Sequence, residues 1–306
     1  MRVFVTGASG HIGLPTVRDL LAAGHSVVGL ARSDASAEKV ASAGAEVLRK
    51  TLDDLDALRD AAKSADGVIH LAFKHDLALA GGDFMGAVNA DLRAVEALGE
   101  ALEGSGKPFV NTTGTMLLAH GVRGRAGTEE DRGQEGGNPR VASENLSLAF
   151  AKRGVRSSIM RLAPTVHSSL DHAGFIPMLV AAARKNGFSA YVGDGGARWP
   201  AVHTLDAARL YRLALEAAPA GMRVHAAADE GVPFREIAEA IGRGLGVPAK
   251  SIAPEQAAEV IGGFLGMIAQ LDNPTSSART REVLGWKPAH AALLADLAEG
   301  HYFRAA

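Results

Sequence analysis

The chain has 306 residues, of which 47% are apolar and 22% are charged, and this composition is typical of a globular protein with a full hydrophobic core. The 32 Lys and Arg residues nearly balance the 34 Asp and Glu residues, which argues against nucleic acid or a membrane surface as a partner. No cysteine is present, so disulfides, thiolate nucleophiles and zinc–thiolate sites are excluded.

The amino-terminal segment shows no apolar stretch of the length of a signal peptide. Nowhere in the sequence do 18 uncharged apolar residues follow one another, and a membrane-spanning helix needs about that length. We therefore expect a soluble protein in the cytoplasm.

The first 165 residues alternate short apolar runs with amphipathic helical segments. This alternation predicts an α/β fold in which helices cover both faces of a doubly wound parallel sheet. The first predicted helix covers residues 14–23 and ends at Gly24, a residue suited to a left-handed helix cap. The predicted strands cover residues 3–6, 26–31, 46–50, 67–72, 109–112 and 157–161.

Beyond residue 165 the alternation weakens and prolines separate short segments. We predict helices over 234–245, 255–270 and 293–300. The division expected is a larger domain at 1–165 and a smaller substrate-binding lobe at 166–306. A strand at 199–205 indicates that part of this lobe, about 191–215, returns to the main sheet.

Three glycines, Gly7, Gly10 and Gly13, recur at every third position between the first predicted strand and the first predicted helix. In such a position one glycine permits a tight turn, one lets the backbone approach a pyrophosphate and one lets helix and strand pack closely. The helix amino terminus then points its free amides at the phosphates. This turn predicts dinucleotide binding by a Rossmann-type domain, with contacts from Gly7, Ser9, Gly10, His11, Ile12 and Gly13.

The end of the second predicted strand distinguishes between the two nicotinamide cofactors. An NAD site usually has Asp or Glu there to bind the ribose 2′-hydroxyl, but this chain has Ala31, followed by Arg32 and Ser33. A guanidinium beside a hydroxyl suits a 2′-phosphate. We expect a preference for NADP(H), with NAD(H) possible if Asp34 holds the ribose instead.

These features resemble the extended or atypical short-chain dehydrogenase/reductase family, and the resemblance covers nearly the whole chain. It rests on the turn at residues 6–13, on Val68–Ala72 as the fourth strand beside the cofactor, and on 161–166 as the exit of the sixth strand. In the family these segments surround a nicotinamide cofactor. The resemblance implies further cofactor contacts at Leu52, Leu71, Ala72, Phe73, Asn89, Thr112 and Pro164.

The catalytic residues depart from the family pattern, which has a Tyr and a Lys four residues apart. Aligning Glu144 with the family's helix Glu puts Gly136 at the Tyr position and Arg140 at the Lys position. A register one helical turn later puts Arg140 at Tyr and Glu144 at Lys. The distance to Arg161 favours the first register, and both lack the Tyr. Arg140 remains a candidate for holding ribose hydroxyls, although its pKa is too high for a proton donor.

Two threonines follow the fifth predicted strand, where the family has a catalytic hydroxyl. Thr113 and Thr115 are therefore the predicted groups that polarise a substrate oxygen. The proton must come from another source, such as water, the substrate, His120, His167 or Lys74. We expect Lys74, His167 and Trp199 to line the substrate pocket.

The spacing of the eleven histidines does not match a metal-binding helix, so we expect no metal site. Together these observations predict an NADPH-dependent oxidoreductase that reduces a carbonyl or related group of a small, fairly apolar molecule. Two alternatives stay open: an epimerase or dehydratase-like enzyme with a tightly held cofactor, and a non-catalytic NADP-binding regulator. In many members of the family that this chain resembles, the helices corresponding to 91–103 and 140–153 pair two subunits, so the resemblance implies a homodimer. Apolar candidates for the cavity between the lobes are Phe73, Phe84, Met85, Phe175, Met178, Phe264 and Met267.

Overall fold

The computed structural model describes residues 1–80 and 82–304. Its strands are β1 (Arg2–Thr6), β2 (Ser26–Ala31), β3 (Glu46–Arg49), β4 (Gly67–His70), β5 (Pro108–Gly114), β6 (Arg156–Leu162), β7 (Thr165–His167), β8 (Ser189–Val192), β9 (Arg198–His203), β10 (Arg223–Ala226), β11 (Asp229–Pro233) and β12 (Ala249–Ile252). Its α-helices are α1 (Gly13–Ala22), α2 (Asp34–Ser42), α3 (Leu55–Ser64), α4 (Phe84–Leu102), α5 (Val141–Ala151), α6 (Phe175–Asn186), α7 (Thr204–Ala217), α8 (Phe234–Leu245), α9 (Ala257–Val260), α10 (Gly263–Ile268), α11 (Ala278–Leu284) and α12 (Leu293–Ala298).

The central sheet has seven parallel strands in the order β10-β6-β5-β4-β1-β2-β3. Helices α1 and α7 pack together on one face, and α3, α4 and α5 pack on the other. This arrangement confirms the predicted α/β class and its doubly wound parallel sheet. The carboxyl ends of the strands meet at one edge, where open sheets of this kind place their ligands.

The fourth strand ends two residues earlier than predicted. The backbone amide of Ala72 donates 3.2 Å to the Thr6 hydroxyl instead of joining the sheet ladder. The chain therefore leaves the sheet beside the end of β1, directly against the glycine turn.

The second half of the chain forms a smaller lobe around its own core, which includes Ile176, Phe234 and Leu265. The strands near 191–215 do not return to the main sheet, contrary to our expectation. Strand β9 pairs with β7 and β11 in a three-stranded sheet, and β8 pairs with β12. Helix α7, which includes the last part of 191–215, does pack on the main sheet. Strand β10 is too short to show a periodicity and occupies the edge of that sheet beside β6.

The predicted helix at 255–270 is divided into two helices. Gly262 has a φ of +115° and separates α9 from α10. A left-handed residue of this kind cannot continue an α-helix. Within the two described stretches, no helix is long and apolar enough to cross a membrane.

Candidate cofactor and substrate site

The glycine turn closes between β1 and α1 as its three roles require. Gly7 has a φ of +69°, and a Cβ there would lie 2.8 Å from the Ala72 nitrogen. A Cβ on Gly13 would overlap the Gly7 carbonyl oxygen, so helix and strand approach as closely as glycine allows. Ser9, Gly10 and the two residues after them remain partly or fully exposed above the helix start. The turn therefore leaves a cradle that fits a pyrophosphate.

His11 turns its side chain away from this cradle towards the second lobe. Its Nε2 lies 2.7 Å from the Thr204 hydroxyl and its Nδ1 lies 3.7 Å from Asp171. Burial lowers the pKa of His11, and Asp171 opposes that shift only in part. The ring thus ties the turn to the second lobe, and only the His11 backbone faces the cradle side.

At the end of β2, the Arg32 guanidinium is exposed and donates 2.7 Å to Asp76. The Ser33 hydroxyl accepts from the Ser36 amide and caps α2. The Ser33 hydroxyl is therefore already used locally, whereas Arg32 can exchange one anionic partner for another.

Lys74 lies beside the segment after β3. Its ammonium donates 2.6 Å to Asp53, the neighbour of buried Leu52. The structure therefore holds the Lys74 ammonium at a carboxylate of the segment after β3, and not in the expected substrate pocket.

His167 and Trp199 also need correction, because both are fully buried. The Nδ1 of His167 lies 2.9 Å from Asp296. The Trp199 ring packs edge-on at 4.9 Å from Phe234. Both side chains are core residues of the second lobe and do not line a cleft.

Arg140, directly before α5, is the centre of the polar part of the site. Its Nη2 donates 2.7 Å to the Thr112 carbonyl, and its guanidinium carbon lies 4.4 Å from the centroid of the Phe73 ring. The same nitrogen lies 3.9 Å from Oδ2 of Asp91, a buried residue of α4. Arg140 therefore joins the ends of β4 and β5 to α4.

Asp91 is braced from the sheet side by His70. The His70 Nε2 lies 3.3 Å from Asp91 Oδ1, and its Nδ1 lies 2.7 Å from the Thr6 hydroxyl. Burial alone would raise the pKa of Asp91, but the His70 hydrogen bond and the Arg140 charge outweigh it and lower the pKa. Among described residues, Asp91 Oδ2 and Arg140 Nε are buried without a hydrogen-bond partner. The Arg140 charge, 3.9 Å from Oδ2, compensates the buried carboxylate electrostatically in place of a hydrogen bond.

Asp91 takes the place that the family resemblance assigned to Asn89. Asn89 is exposed on α4, and Asp91, two residues further along the helix, faces the sheet. Residues two apart on a helix point in very different directions. The sequence offered no signal for Asp91 beyond its position inside an apolar helix, where a charged residue needs a partner.

The two predicted catalytic threonines do not share a cleft. Thr113 is buried and donates over 3.4 Å to Glu144, which pairs with Arg161 at 2.6 Å. Thr115 is buried and donates 2.8 Å to Asn273 of the second lobe. Both hydroxyls are engaged by structural partners, so the structure does not bring the two threonines together at one site.

The remaining predicted contacts lie at the same edge of the sheet. Thr112 donates its hydroxyl to the His70 carbonyl at 2.6 Å and leaves its own carbonyl to Arg140. Leu71 and Ala72 follow β4 directly, and Pro164 lies between β6 and β7. Their contacts with a cofactor stay predictions.

A row of aromatic side chains crosses from the first lobe to the second. Ring centroids are 6.3 Å apart between Phe73 and Phe84, 6.3 Å between Phe84 and Phe264, and 6.2 Å between Phe264 and Phe175. Phe264 is 37% exposed and Met267 is 57% exposed. The row begins at the ring that carries Arg140, so an apolar wall adjoins the polar centre.

His75 belongs to this centre, although the sequence gave more weight to Lys74. Its ring centroid lies 5.1 Å from that of Phe73, in an edge-on arrangement. The pKa of His75 is lowered, first by desolvation and then by the Arg140 charge.

One group of possible metal ligands lies elsewhere in the described chain. Asp296, Glu299 and His301 bring one ligand atom each within 4.8 Å of the others. Asp296 is already held by His167 and Glu299 is exposed, so the group is explained without an ion.

The comparisons with known proteins agree with this architecture. The sequence model of the NAD dependent epimerase/dehydratase family matches residues 3–226. Uncharacterized protein C2A9.02 of Schizosaccharomyces pombe is 48% identical over 99% of this chain and 100% of its own length. The 2'-dehydrokanamycin reductase of Streptomyces kanamyceticus is 29% identical over 85% of this chain and 71% of its own. The structure of the dTDP-glucose 4,6-dehydratase DesIV from Streptomyces venezuelae, a double mutant with NAD bound, superposes with a TM-score of 0.78 at 19% identity, covering 99% of this chain and 96% of DesIV.

Proposed function

Because the chain belongs to the NAD dependent epimerase/dehydratase family, we propose that it is an NADPH-dependent oxidoreductase that reduces a carbonyl or related group of a small, fairly apolar molecule. The reductase among its relatives supports the direction of the reaction. The observation that carries the proposal is the junction of Arg140 with Phe73, where a cation meets the aromatic row.

The proposed cofactor preference rests on the end of β2. Ala31 is buried and carries no carboxylate to bind a ribose 2′-hydroxyl. Arg32 is exposed and can form charge-assisted hydrogen bonds to a 2′-phosphate. The 2′-phosphate would replace Asp76 as the partner of Arg32.

The proposed chemistry divides between the cofactor and the chain. When bound, NADPH supplies a hydride. Arg140 holds ribose or substrate oxygens through its guanidinium, and Asp91 keeps that guanidinium in place. The aromatic row excludes water from an apolar substrate, which strengthens these polar contacts.

The test follows NADPH absorbance with a panel of ketones, enones, quinones and imines. We expect turnover of apolar aromatic acceptors, and a higher KM for them when Phe264→Ala shortens the wall. Arg184→Ala, a surface substitution on α6, serves as the control. Tight NADPH binding without turnover of any acceptor would contradict the proposal.

A second function is favoured by one specific feature. Gly136 stands at the position of the family's tyrosine, in an exposed segment before α5 with a φ of +77°. A chain that binds NADPH without reducing anything would act as a cofactor-sensing regulator. The same panel distinguishes the two functions.

A further inference from the structure

A reduction needs a proton for the substrate oxygen, and the family's tyrosine is missing. The three tyrosines of the chain lie elsewhere. Tyr191 packs under Arg235, Tyr211 is fully buried against Thr112, and Tyr302 contacts Asp171. Burial raises the pKa of both Tyr211 and Tyr302, so neither releases a proton readily.

The other candidates from the sequence are committed to structural partners. Lys74 is held by Asp53 and His167 by Asp296. A guanidinium does not give up its proton in proteins, so Arg140 is no donor. His120 is exposed in the segment beyond Thr115. A side-chain donor beside Arg140 must therefore be another group, and water is the alternative source.

We propose that His75 is this proton donor, an inference that rests on the proposed reductase function. Phe73 carries the Arg140 guanidinium over its ring and the His75 ring at its edge, 5.1 Å between centroids. The His75 amide also donates 2.9 Å to the Phe73 carbonyl, which fixes the backbone next to the ring. A substrate oxygen held by Arg140 at the start of the aromatic row is thereby placed beside an imidazole.

The surroundings of His75 suit a group that must lose and regain a proton. Desolvation first, and the Arg140 charge next, lower the pKa of His75, while the charges of Asp76 and Asp91 oppose that shift. The residue is exposed, so solvent can restore the proton after each turnover. The lowered pKa makes the imidazolium a stronger acid, and the rate should be highest at acidic pH, where the ring is protonated.

The hydride carries two electrons from C4 of NADPH to the carbonyl carbon, and the carbon–oxygen double bond becomes a single bond. The oxygen takes the imidazolium proton of His75, leaving a neutral imidazole. NADP⁺ and the alcohol are the products, and water reprotonates the ring.

The experiment compares wild type with His75→Gln, using 1-phenyl-1,2-propanedione as the acceptor. We expect kcat to fall by about 10²- to 10⁴-fold in the variant, the usual contribution of a general acid, while the Kd for NADPH stays within twofold. The wild-type rate should decline as pH rises through the His75 pKa, and the variant should lack this decline. His25→Gln, at the opposite end of the sheet, should retain it.

A second readout does not depend on turnover. In ¹⁵N-imidazole NMR spectra, the signal missing from His75→Gln should titrate below the ordinary histidine range and shift when NADP⁺ binds. If wild type reduces the acceptor and His75→Gln reduces it with the same kcat, the assignment of His75 is wrong and the proposed function stands. No reduction by wild type would overturn the proposed function and the assignment with it. An imidazole signal that ignores NADP⁺ would also overturn the assignment.

Discussion

The Asp76 carboxylate accepts a hydrogen bond of 2.7 Å from the Arg32 guanidinium at the end of β2. The hydrogen bond from Arg32 lowers the pKa of Asp76, so the carboxylate is charged at neutral pH. On the proposed cofactor preference, NADPH binding displaces this carboxylate from Arg32, whereas NADH binding does not. The ion pair is exposed on both sides, and such pairs are weak enough to exchange.

Asp76→Asn should therefore tighten NADPH binding. An exposed pair is worth about 0.2–1 kcal/mol, which corresponds to a decrease in Kd of at most about fivefold. The Kd for NADH should not change, as measured by quenching of protein fluorescence. Asp56→Asn, which removes a carboxylate paired with Arg59, is the matched control. Equal tightening of NADH binding would show that the carboxylate acts only through its general charge.

Arg32→Ala should have the opposite effect. Charge-assisted hydrogen bonds contribute about 1.5–3 kcal/mol, so the Kd for NADPH should rise by about 10- to 150-fold. NADH should bind nearly as well as before, because it has no 2′-phosphate. Isothermal titration of both cofactors measures the difference. If wild type binds the two cofactors equally, the NADP preference is wrong.

Thr115→Val should reduce stability and leave catalysis unchanged. The substitution removes the donor to Asn273 and leaves a buried amide oxygen unsatisfied, at a cost of about 1–3 kcal/mol. Urea unfolding measures this loss, and Thr115→Ser should restore most of it. We expect kcat within twofold of wild type for both variants. A kcat reduced a hundredfold in a folded Thr115→Val protein would return this hydroxyl to a catalytic role.

The main sheet could be predicted because its strands are local patterns. The apolar runs at 3–6 and 26–31, with glycines close by, predict strands and turns without any information on which strands pair with each other. Strand β10 was not predicted because a run of four residues is too short to show a hydrophobic periodicity. Its place beside β6 depends on tertiary pairing. The break at Gly262 likewise depends on a φ value that a residue type permits but does not impose.

The site was harder to predict because side-chain direction decides it. Thr113, Thr115 and His167 have the right chemistry, but each is turned to a partner distant in sequence. Asp91 and His75 could be identified as site residues only from the structure, which brings α4 and the segment after β4 close to Arg140. The glycine turn was predictable because backbone geometry, not side-chain direction, shapes it, and its contacts with a cofactor stay predictions.

Acid should destabilise the fold through His225, which is fully buried at the edge strand β10. Its Nδ1–H donates 2.8 Å to the Ser276 carbonyl, and its Nε2 accepts from Arg161 at 3.2 Å. Both ring nitrogens are therefore engaged, and a proton added to Nε2 would replace the hydrogen bond from Arg161 by repulsion between two cations. Burial first, and the Arg161 charge next, lower its pKa to about 4.

Because the pKa of His225 is lower in the folded chain than in the unfolded chain, acid lowers the free energy of unfolding. Between the ordinary histidine pKa and about 4, the unfolded chain binds a proton that the folded chain refuses, so stability is lost as pH falls through this window. From pH 7 to pH 5 the loss from this one group should be about 2 kcal/mol. Urea unfolding of wild type and His225→Gln at both pH values isolates it, because the other histidines contribute equally to both proteins. The variant is expected to be less stable at pH 7 yet to lose less between the two pH values, and parallel losses would show that His225 is protonated in the folded state.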